Sequence, residues 1–325
     1  MKKIFFVGDF LSNTGPANVN KSILKVLNEN AEYSLSNNKL FRIVELVYKT
    51  LKSEYICFCS FSKIDYYGIK IAKLLHKKTF YLMHGYLKME YQLDNIRNDG
   101  RLELEQFILY NVDKVFCVSE TFKDYMSSQI PDIKFDFANN GIDWNYIDSI
   151  INNSNDERAL NIISAGGTLH RKSNKTVSDA VEALSNKHKN IRYYIVGQIT
   201  EKDEYTKNHH TILLNTLSQE EYFKLMKKSR IYIQNSKFEP FGLAPIEALA
   251  CGCDLLISSN VGAKCILKLK ESDIICDNDD VEEIREKIEY LISNSNNERI
   301  EKSLNKKKTS VEQSVYNLYN KIINS

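Results

Sequence analysis

Residues 238–252 read FEPFGLAPIEALACG and form the most informative stretch of the chain. The pattern predicts a loop that feeds a short helix, because Pro245 suits a first helical turn, where its missing N–H costs nothing. Glycine at position 242 lets the backbone come close to a ligand. The amides of Gly242, Leu243 and Ala244 are therefore expected to point out of the helix start, as in sites that bind phosphate.

Two glutamates in this stretch are candidates for binding hydroxyl groups. Glu239 precedes the glycine and Glu247 lies within the predicted helix, so both can face one pocket. Ionised carboxylates accept paired hydrogen bonds from vicinal hydroxyls, as sugar and ribose rings require. Glutamates at this spacing also occur by chance, and one near a helix start can be only a dipole partner. Their setting within Phe-Gly-x-x-Pro, followed by Ala-Leu-Ala-x-Gly, favours the functional interpretation.

Around this stretch, short apolar strands alternate with helices. Such strands predict parallel sheets that are covered on both faces, with ligands bound beyond the carboxyl ends of the strands. The predicted fold class is α/β, with two Rossmann-like doubly wound domains facing a cleft. The apolar runs are residues 4–7, 55–58, 80–83 and 115–118 in the first half, and 160–165, 191–196, 231–233 and 254–257 in the second.

The length of the chain and an interruption in the alternation of strands and helices predict where the domain boundary lies. The 325 residues exceed the size at which one core keeps growing. The alternation pauses at residues 139–157, which are rich in Asn, Asp and Ser. We therefore predict an N-terminal domain at 1–155 and a C-terminal domain at 156–307. Apolar residues at helical spacing predict a final helix at about 308–325.

Composition excludes several classes of protein. A formal net charge of +2 argues against a strongly basic nucleic-acid binder. No run approaches the roughly 18 apolar residues needed to span a bilayer. Asp9 follows the first apolar run at once and no small-residue cleavage site appears, so a strand is a better interpretation than a signal peptide. The seven cysteines lack zinc-ligand spacing and are expected to be reduced, mostly buried thiols in the cytoplasm.

Taken together, the motifs resemble the retaining glycosyltransferases of family four, which have the two-domain GT-B architecture. The family signature is two glutamates separated by seven residues, and Glu239 and Glu247 match it. The resemblance extends over nearly the whole chain. Its other parts are Gly15-Pro16 at the glycine-rich acceptor-side loop, His84-Gly85 at the family's His-Gly, Val118-Ser119-Glu120 at its Val-Ser-Glu, and Asn140-Gly141-Ile142-Asp143 before the interdomain linker.

The resemblance implies a hexosyltransferase-type enzyme that moves a sugar from a nucleoside-diphosphate sugar to an acceptor hydroxyl with retention of configuration. It assigns the donor-sugar hydroxyls to Glu239 and the nucleotide ribose to Glu247. The backbone from Phe241 through Gly242 to Leu243 should meet the sugar and diphosphate. His84 should contact the transferred sugar from the N-terminal domain, although a structural histidine at a strand end is a real alternative.

The diphosphate-binding residues match the family less closely. The family places an arginine directly after the glycine that ends the first C-terminal strand, and a lysine about five residues later. Here Gly167 holds the arginine position, and Lys172 holds the lysine position, where it is expected to clamp the diphosphate. Arg171 or Lys175 could supply the second positive charge, and for Lys175 a solvated residue before a helix is an equal alternative.

No metal or other cofactor is expected, since GT-B enzymes stabilise the pyrophosphate leaving group with positive charge and helix amides. The resemblance implies a front-face route in which the leaving phosphate helps deprotonate the acceptor hydroxyl. Asp277-Asn278-Asp279 does form the Asp-x-Asp metal motif of the other large glycosyltransferase fold. It directly precedes a predicted helix at 281–292, so helix capping explains it better.

The expected partners are a nucleotide-sugar donor and a glycan or lipid-linked acceptor, in the assembly of a bacterial surface glycan such as capsule or lipopolysaccharide. Lys63, Lys70 and Lys77 recur every seventh residue and so share a helix face, which could touch anionic headgroups at the inner face of the membrane. A solvated helix surface is the simpler interpretation. GT-B enzymes also return their final helix to the N-terminal domain, and we expect the same of residues 308–325.

Three other functions are alternatives to a glycosyltransferase. A non-catalytic, glycosyltransferase-like partner subunit is suggested only by Gly167 in the arginine position. An epimerase of sugar nucleotides would share the fold and the donor, but the retained pair of glutamates weighs against it. An oxidoreductase is rejected, because no G-x-G-x-x-G fingerprint follows the first strand.

Overall fold

The computed structural model describes residues 4–12, 14–36, 38–151 and 158–325. The chain folds into two compact units. The first comprises Met1–Tyr91, Arg97–Ile142 and Lys307–Ser325, and the second comprises Gln92–Ile96 and Asp143–Lys306.

The first unit is built on a six-stranded parallel sheet. Its strands are β1 (Ile4–Val7), β2 (Glu32–Tyr33), β3 (Tyr55–Phe58), β4 (Lys78–Met83), β5 (Lys114–Cys117) and β6 (Phe135–Phe137). They lie in the order β2-β1-β3-β4-β5-β6. The helices are α1 (Gly15–Leu27), α2 (Lys39–Lys52), α3 (Lys63–Leu74), α4 (Leu87–Leu93), α5 (Arg101–Asn111) and α6 (Glu120–Gln129). The last two residues of α4 belong to the second unit.

A second six-stranded parallel sheet forms the other unit. Its strands are β7 (Asn161–Ala165), β8 (Arg192–Val196), β9 (Thr211–Leu214), β10 (Ile231–Gln234), β11 (Asp254–Ser258) and β12 (Ile274–Ile275), in the order β12-β11-β10-β7-β8-β9. The helices are α7 (Trp144–Ile151), α8 (Asn174–Leu184), α9 (Gln219–Lys227), α10 (Ala244–Ala250), α11 (Val281–Ser293) and α12 (Asn297–Glu301).

Several strands in both sheets are buried, as expected for parallel sheets that are covered by helices on both faces. The strands β1, β10 and β11 are buried along their whole length. A strand covered by helices on both faces has no solvent side, so it lacks the apolar–polar alternation of a half-exposed strand. In the second unit, strand residues such as Ile195 and Leu256 share one core with Val181 of α8 and Ile288 of α11. The predicted class, two Rossmann-like α/β domains, is confirmed.

The boundaries of the units follow the packing of two helices. The second unit begins at Asp143, before the boundary predicted from sequence, so α7 belongs to it and packs against α9 and α10. The last helix, α13 (Val311–Ile323), packs against α1 in the first unit. Its approach is fixed by Ile142, whose amide donates to Thr309 O (2.9 Å) and whose carbonyl accepts from Val311 N (3.2 Å).

Two further features of the structure concern the hydrophobicity of its helices and its cysteines. Within the described ranges, no helix is both long and apolar enough to cross a membrane. The seven cysteines are free thiols, of which Cys276 is exposed and Cys265 is half-buried. The other five are buried.

Candidate active site

The loop before α10 is fixed to the segment that follows β11. Glu239 forms a parallel bridge with Val261, its amide donates to Asn260 O (3.3 Å), and its carbonyl accepts from Gly262 N (2.9 Å). The flanking ring of Phe241 is buried, and its carbonyl accepts from Ala263 N (2.6 Å). The backbone around Glu239 is therefore held at the carboxyl edge of the second sheet, where doubly wound folds bind ligands.

Lys172 meets Glu239 at this edge. Lys172 ends a single 3-10 turn after β7, and its Nζ forms an ion pair with Glu239 Oε2. The two side chains are 11% and 18% exposed, so water screens the pair only in part. A lysine ammonium carries three donors, which leaves capacity for an anionic ligand. Two of the predicted site residues are thus in direct contact.

Sequence reasoning missed Gln234, the last residue of β10. Its Nε2 donates to Glu239 Oε2 (3.1 Å) and to Ser236 Oγ (2.8 Å). Its Oε1 accepts from Tyr232 Oη (2.6 Å), which fixes the orientation of the amide. The signal that could have identified it is a polar residue that ends an otherwise apolar strand, IYIQ, beside the glutamate loop.

Glu247 lies in the first turn of α10, and no residue in the described ranges donates a hydrogen bond to its carboxylate. Burial raises its pKa to about 7. Burial also raises the pKa of Tyr222 and Tyr232 above the ordinary value, and the charge of Glu247 adds to both shifts. A desolvated carboxylate without a donor is the arrangement that a ligand hydroxyl can complete.

Backbone amides next to Glu239 are also available to a ligand. Gly242 has a φ of +85°, and a Cβ there would lie 3.1 Å from Glu239 Cγ. Within the described chain, the amides of Gly242 and Leu243 donate to no acceptor. The loop therefore offers two N–H donors beside the carboxylate.

The glycine that stands where the resemblance leads one to expect an arginine has a structural cause. Gly167 has a φ of +64°, and a Cβ added there would lie 1.9 Å from the carbonyl oxygen of Gln198. The two loops are joined by hydrogen bonds from Gly167 N to Val196 O (3.0 Å) and from Thr168 N to Gln198 O (3.0 Å). No side chain fits between backbones that are this close, so an arginine would require the loops to separate.

The other two predicted cations have partners of their own. The Arg171 amide donates to Asp94 Oδ1 (2.8 Å) and its Nη1 to Asp94 Oδ2 (3.1 Å), and the Asp94 side chain is only 5% exposed. Lys175, in the first turn of α8, pairs with Asp179 Oδ2 (2.7 Å). Lys172 is therefore the cation that the described residues show in contact with a predicted donor-site carboxylate.

The Asp-x-Asp segment is part of the packing around α11. Asn278 exchanges hydrogen bonds with Asn235 in a buried pair, and Asp279 pairs with Lys237 (2.7 Å). The residue that caps α11 is Asp280, just beyond the motif, which accepts from the amides of the first helical turn at 2.9 and 3.0 Å. In the part of the chain that the structure describes, no group of three or more His, Cys, Asp or Glu residues could hold a metal ion.

In the first unit, His84 follows the end of β4. Its Nε2 lies 3.1 Å from Asn20 Oδ1. Burial lowers the pKa of His84 to about 4, so the imidazole is neutral at neutral pH. Asn20, which sequence reasoning did not identify, also donates to Asp9 O (2.9 Å) and so links His84 to the loop after β1.

Gly15 and Pro16, predicted for an acceptor-side loop, form the first turn of α1. Thr14 is the N-cap, and its hydroxyl accepts from Ala17 N (3.3 Å). Pro16 fits this place because its missing N–H would have no intrahelical partner. The pair therefore lies at the junction between the loop after β1 and the helix.

Comparison with known proteins identifies the fold. Residues 148–309 match the family model described as glycosyl transferases group 1, a range that holds Lys172, Glu239 and Glu247. No curated protein sequence matches the chain significantly.

Among solved structures, similar ones include HepE of Anabaena in complex with UDP and glucose, at 14% identity over 100% of both chains with a TM-score of 0.72. Trehalose-6-phosphate synthase OtsA has 12% identity over 99% of both chains and a TM-score of 0.70. Sucrose-phosphate synthase of Thermosynechococcus elongatus has 14% identity over 100% of both and a TM-score of 0.65. The chain therefore has the GT-B fold, and nearly all of its second unit matches the sequence model of the group 1 glycosyl transferases.

Proposed function

We propose that this chain is a glycosyltransferase that moves a sugar from a nucleoside-diphosphate sugar to an acceptor hydroxyl with retention of configuration. The observation that carries the proposal is the Lys172–Glu239 ion pair together with Glu247, whose carboxylate accepts no hydrogen bond from the described residues, all within the range that matches the family model. The setting is the assembly of a bacterial surface glycan on a glycan or lipid-linked acceptor, at the cytoplasmic side of the membrane.

In this proposal the nucleotide-sugar donor is bound by a lysine, two glutamates and two backbone amides of the second unit. Lys172 and the amides of Gly242 and Leu243 bind the diphosphate, Glu239 accepts hydrogen bonds from the sugar hydroxyls, and Glu247 accepts them from the ribose. UDP is the proposed nucleotide, because the similar HepE structure contains UDP and glucose. Arg171 stays with Asp94 in this scheme and positions the 3-10 turn that carries Lys172.

The chemistry follows from this arrangement. As the glycosidic bond breaks, negative charge grows on the diphosphate, and the Lys172 ammonium and the loop amides stabilise it. A phosphate oxygen of the leaving group takes the proton of the acceptor hydroxyl on the same face of the sugar. His84 contacts the transferred sugar as a neutral imidazole. The scheme needs no resident metal, so activity should persist in the presence of a chelator.

The deciding experiment measures nucleotide release from a panel of sugar nucleotides. We expect release from one donor, lost by about 100-fold or more in Lys172→Ala and in Glu247→Ala. Lys175→Ala is the matched control, since that lysine pairs with Asp179 outside the proposed site, and it should keep its activity. If no sugar nucleotide in the panel releases its nucleotide and none shifts the melting temperature of the chain, the proposal is contradicted. A product of inverted configuration would contradict retention alone.

A non-catalytic partner subunit is the second candidate, favoured by Gly167 in the arginine position. The close approach of the Gln198 backbone accounts for that glycine without loss of function. Donor binding without turnover by the purified chain, and turnover only with a second protein, would favour the subunit.

A further inference from the structure

The helix α2 exposes most of its apolar side chains to solvent, unlike an ordinary surface helix. Phe41, Val44 and Leu51 are 69%, 66% and 53% exposed. Residues three, four and seven positions apart lie on one face of a helix, so these side chains form a continuous stripe. Its members, which we call the α2 apolar face, are Phe41, Ile43, Val44, Val47, Tyr48 and Leu51, all exposed.

The opposite side of α2 packs on the body of the first unit through the buried side chain of Leu46 and through hydrogen bonds of its polar residues. Arg42 Nη2 donates to Gly8 O (2.8 Å). The Glu45 carboxylate accepts from the amides of residues 35 and 36 at 3.2 and 3.0 Å. Lys49 Nζ donates to Glu45 (2.7 Å) and to Tyr33 O (2.5 Å). These bonds fix the rotation of the helix, so the apolar face cannot turn inward without breaking them.

The charges next to this face are positive. The neighbouring α3 exposes Tyr67 and Leu74. Among the described side chains of α2 and α3, every exposed charged residue is a lysine, whereas Glu45 and Asp65 are turned inward. Because α3 ends at Leu74, Lys77 lies beyond the helix and donates to Leu51 O (3.4 Å) instead of sharing the predicted lysine face. The exposed lysines are Lys52, Lys63, Lys70 and Lys73.

These features fit a lipid surface better than a protein partner. An amphipathic helix with apolar side chains outward and lysines beside them is typical of segments that lie in the membrane interface. Exposed tyrosines such as Tyr48 suit the same layer, where one end of the ring is apolar and the other wet.

We propose that the α2 apolar face inserts into the interfacial layer of a membrane that contains anionic lipid, with the lysines of α2 and α3 at the headgroups. Arg42 ties α2 directly to Gly8, in the loop after β1 that also holds Asp9. If this edge of the first sheet receives the acceptor, a step that rests on the proposed function, the bound membrane presents a lipid-linked acceptor there.

The test is flotation of the full chain with vesicles of phosphatidylcholine, with and without phosphatidylglycerol. Wild type should float with the anionic vesicles, and Val44→Glu/Leu51→Glu should partition about tenfold or more weakly. Both positions are exposed, so thermal melting should not change. Tyr290→Glu, at an apolar position on α11 about as exposed as Leu51, is the control and should float like wild type. Lys63→Ala/Lys70→Ala should reduce the dependence on anionic lipid.

Any of three results would overturn the inference. The first is wild type that does not float with anionic vesicles, and the second is an α2 variant that floats as wild type does. The third is light scattering that shows a dimer lost in the α2 variant, which would assign the face to a second copy of the chain. Nucleotide release without lipid separates the two proposals, because the α2 variant should retain it. Release without flotation defeats only the membrane site, and flotation without release on any donor defeats only the proposed function.

Discussion

At the scale of single residues, the site depends on how its carboxylates are satisfied. Glu239 has both a cation and an amide donor, whereas Glu247 has no donor from the described chain. The two glutamates therefore meet a ligand in different states. Glu239 must exchange its bond with Lys172, whereas Glu247 is only partly ionised near pH 7 and gains negative charge when hydroxyl groups donate to it.

The raised pKa of Glu247 gives a pH signature. Hydroxyl donors favour the ionised carboxylate and lower its pKa, so donor binding near pH 7 and just below should release a proton. Isothermal titration in buffers of different ionisation enthalpy measures this release, and Glu247→Gln should show none. Without donor, the folded chain holds a proton that the unfolded chain gives up, so this residue's contribution to stability falls as pH rises towards 7. An unchanged proton count in Glu247→Gln would contradict the assignment.

Gln234 should act as a positioning residue for Glu239. In Gln234→Leu, Glu239 loses an amide donor and the Tyr232 hydroxyl loses its acceptor. We expect the donor KM to rise about tenfold with a smaller change in kcat, and the free energy of unfolding to fall by about 1–3 kcal/mol. Adding Tyr232→Phe removes the orphaned hydroxyl and should restore stability but not KM. Recovery of both would reduce Gln234 to a purely structural role.

At the scale of elements, backbone packing decides which side chains can stand at the end of a strand. The turn after β7 lies against the turn after β8, and this contact excludes a side chain at position 167. An arginine at position 167, which the resemblance to family four leads one to expect, is therefore incompatible with this pair of loops, whatever it would contribute to phosphate binding.

An arginine at position 167 should lower the stability of the chain. Gly167→Arg must push Gln198 away, and we expect a loss of about 2–4 kcal/mol in the free energy of unfolding, measured by urea denaturation. Gly100→Ala is the control for backbone strain alone, because its φ is +88° with open space around it. That variant should lose only about 1 kcal/mol. A Gly167→Arg chain as stable as wild type, with tighter donor binding, would show that the loops can adapt.

At the scale of the whole molecule, the C-terminal segment belongs to the first unit although the second precedes it in sequence. The helix α13 is held by buried apolar residues against α1 and by Lys321, whose Nζ lies 2.6 Å from Asp136 Oδ1. The integrity of the first unit therefore depends on the last residues of the chain.

Truncating a core side chain of α13 should weaken that unit alone. Leu318→Ala removes a buried side chain, and we expect a loss of about 2–5 kcal/mol. Tyr316→Ala, at an exposed position on the same helix, should change stability by less than about 0.5 kcal/mol. Donor affinity should be unchanged in both. Weaker donor binding in Leu318→Ala alone would show that the two units are energetically coupled.

The amino-acid sequence determined the features that are local in the chain. Strand and helix periodicities identified the two α/β units, and the spacing of Glu239 and Glu247 placed them on one loop and helix. Only the tertiary structure joined Lys172 to Glu239 and Asn20 to His84, pairs separated by 67 and 64 residues. Such contacts depend on strand order, which no local pattern contains. The periodicity of α2 likewise shows two faces, but its hydrogen bonds to the body of the first unit decided that the apolar one lies outward.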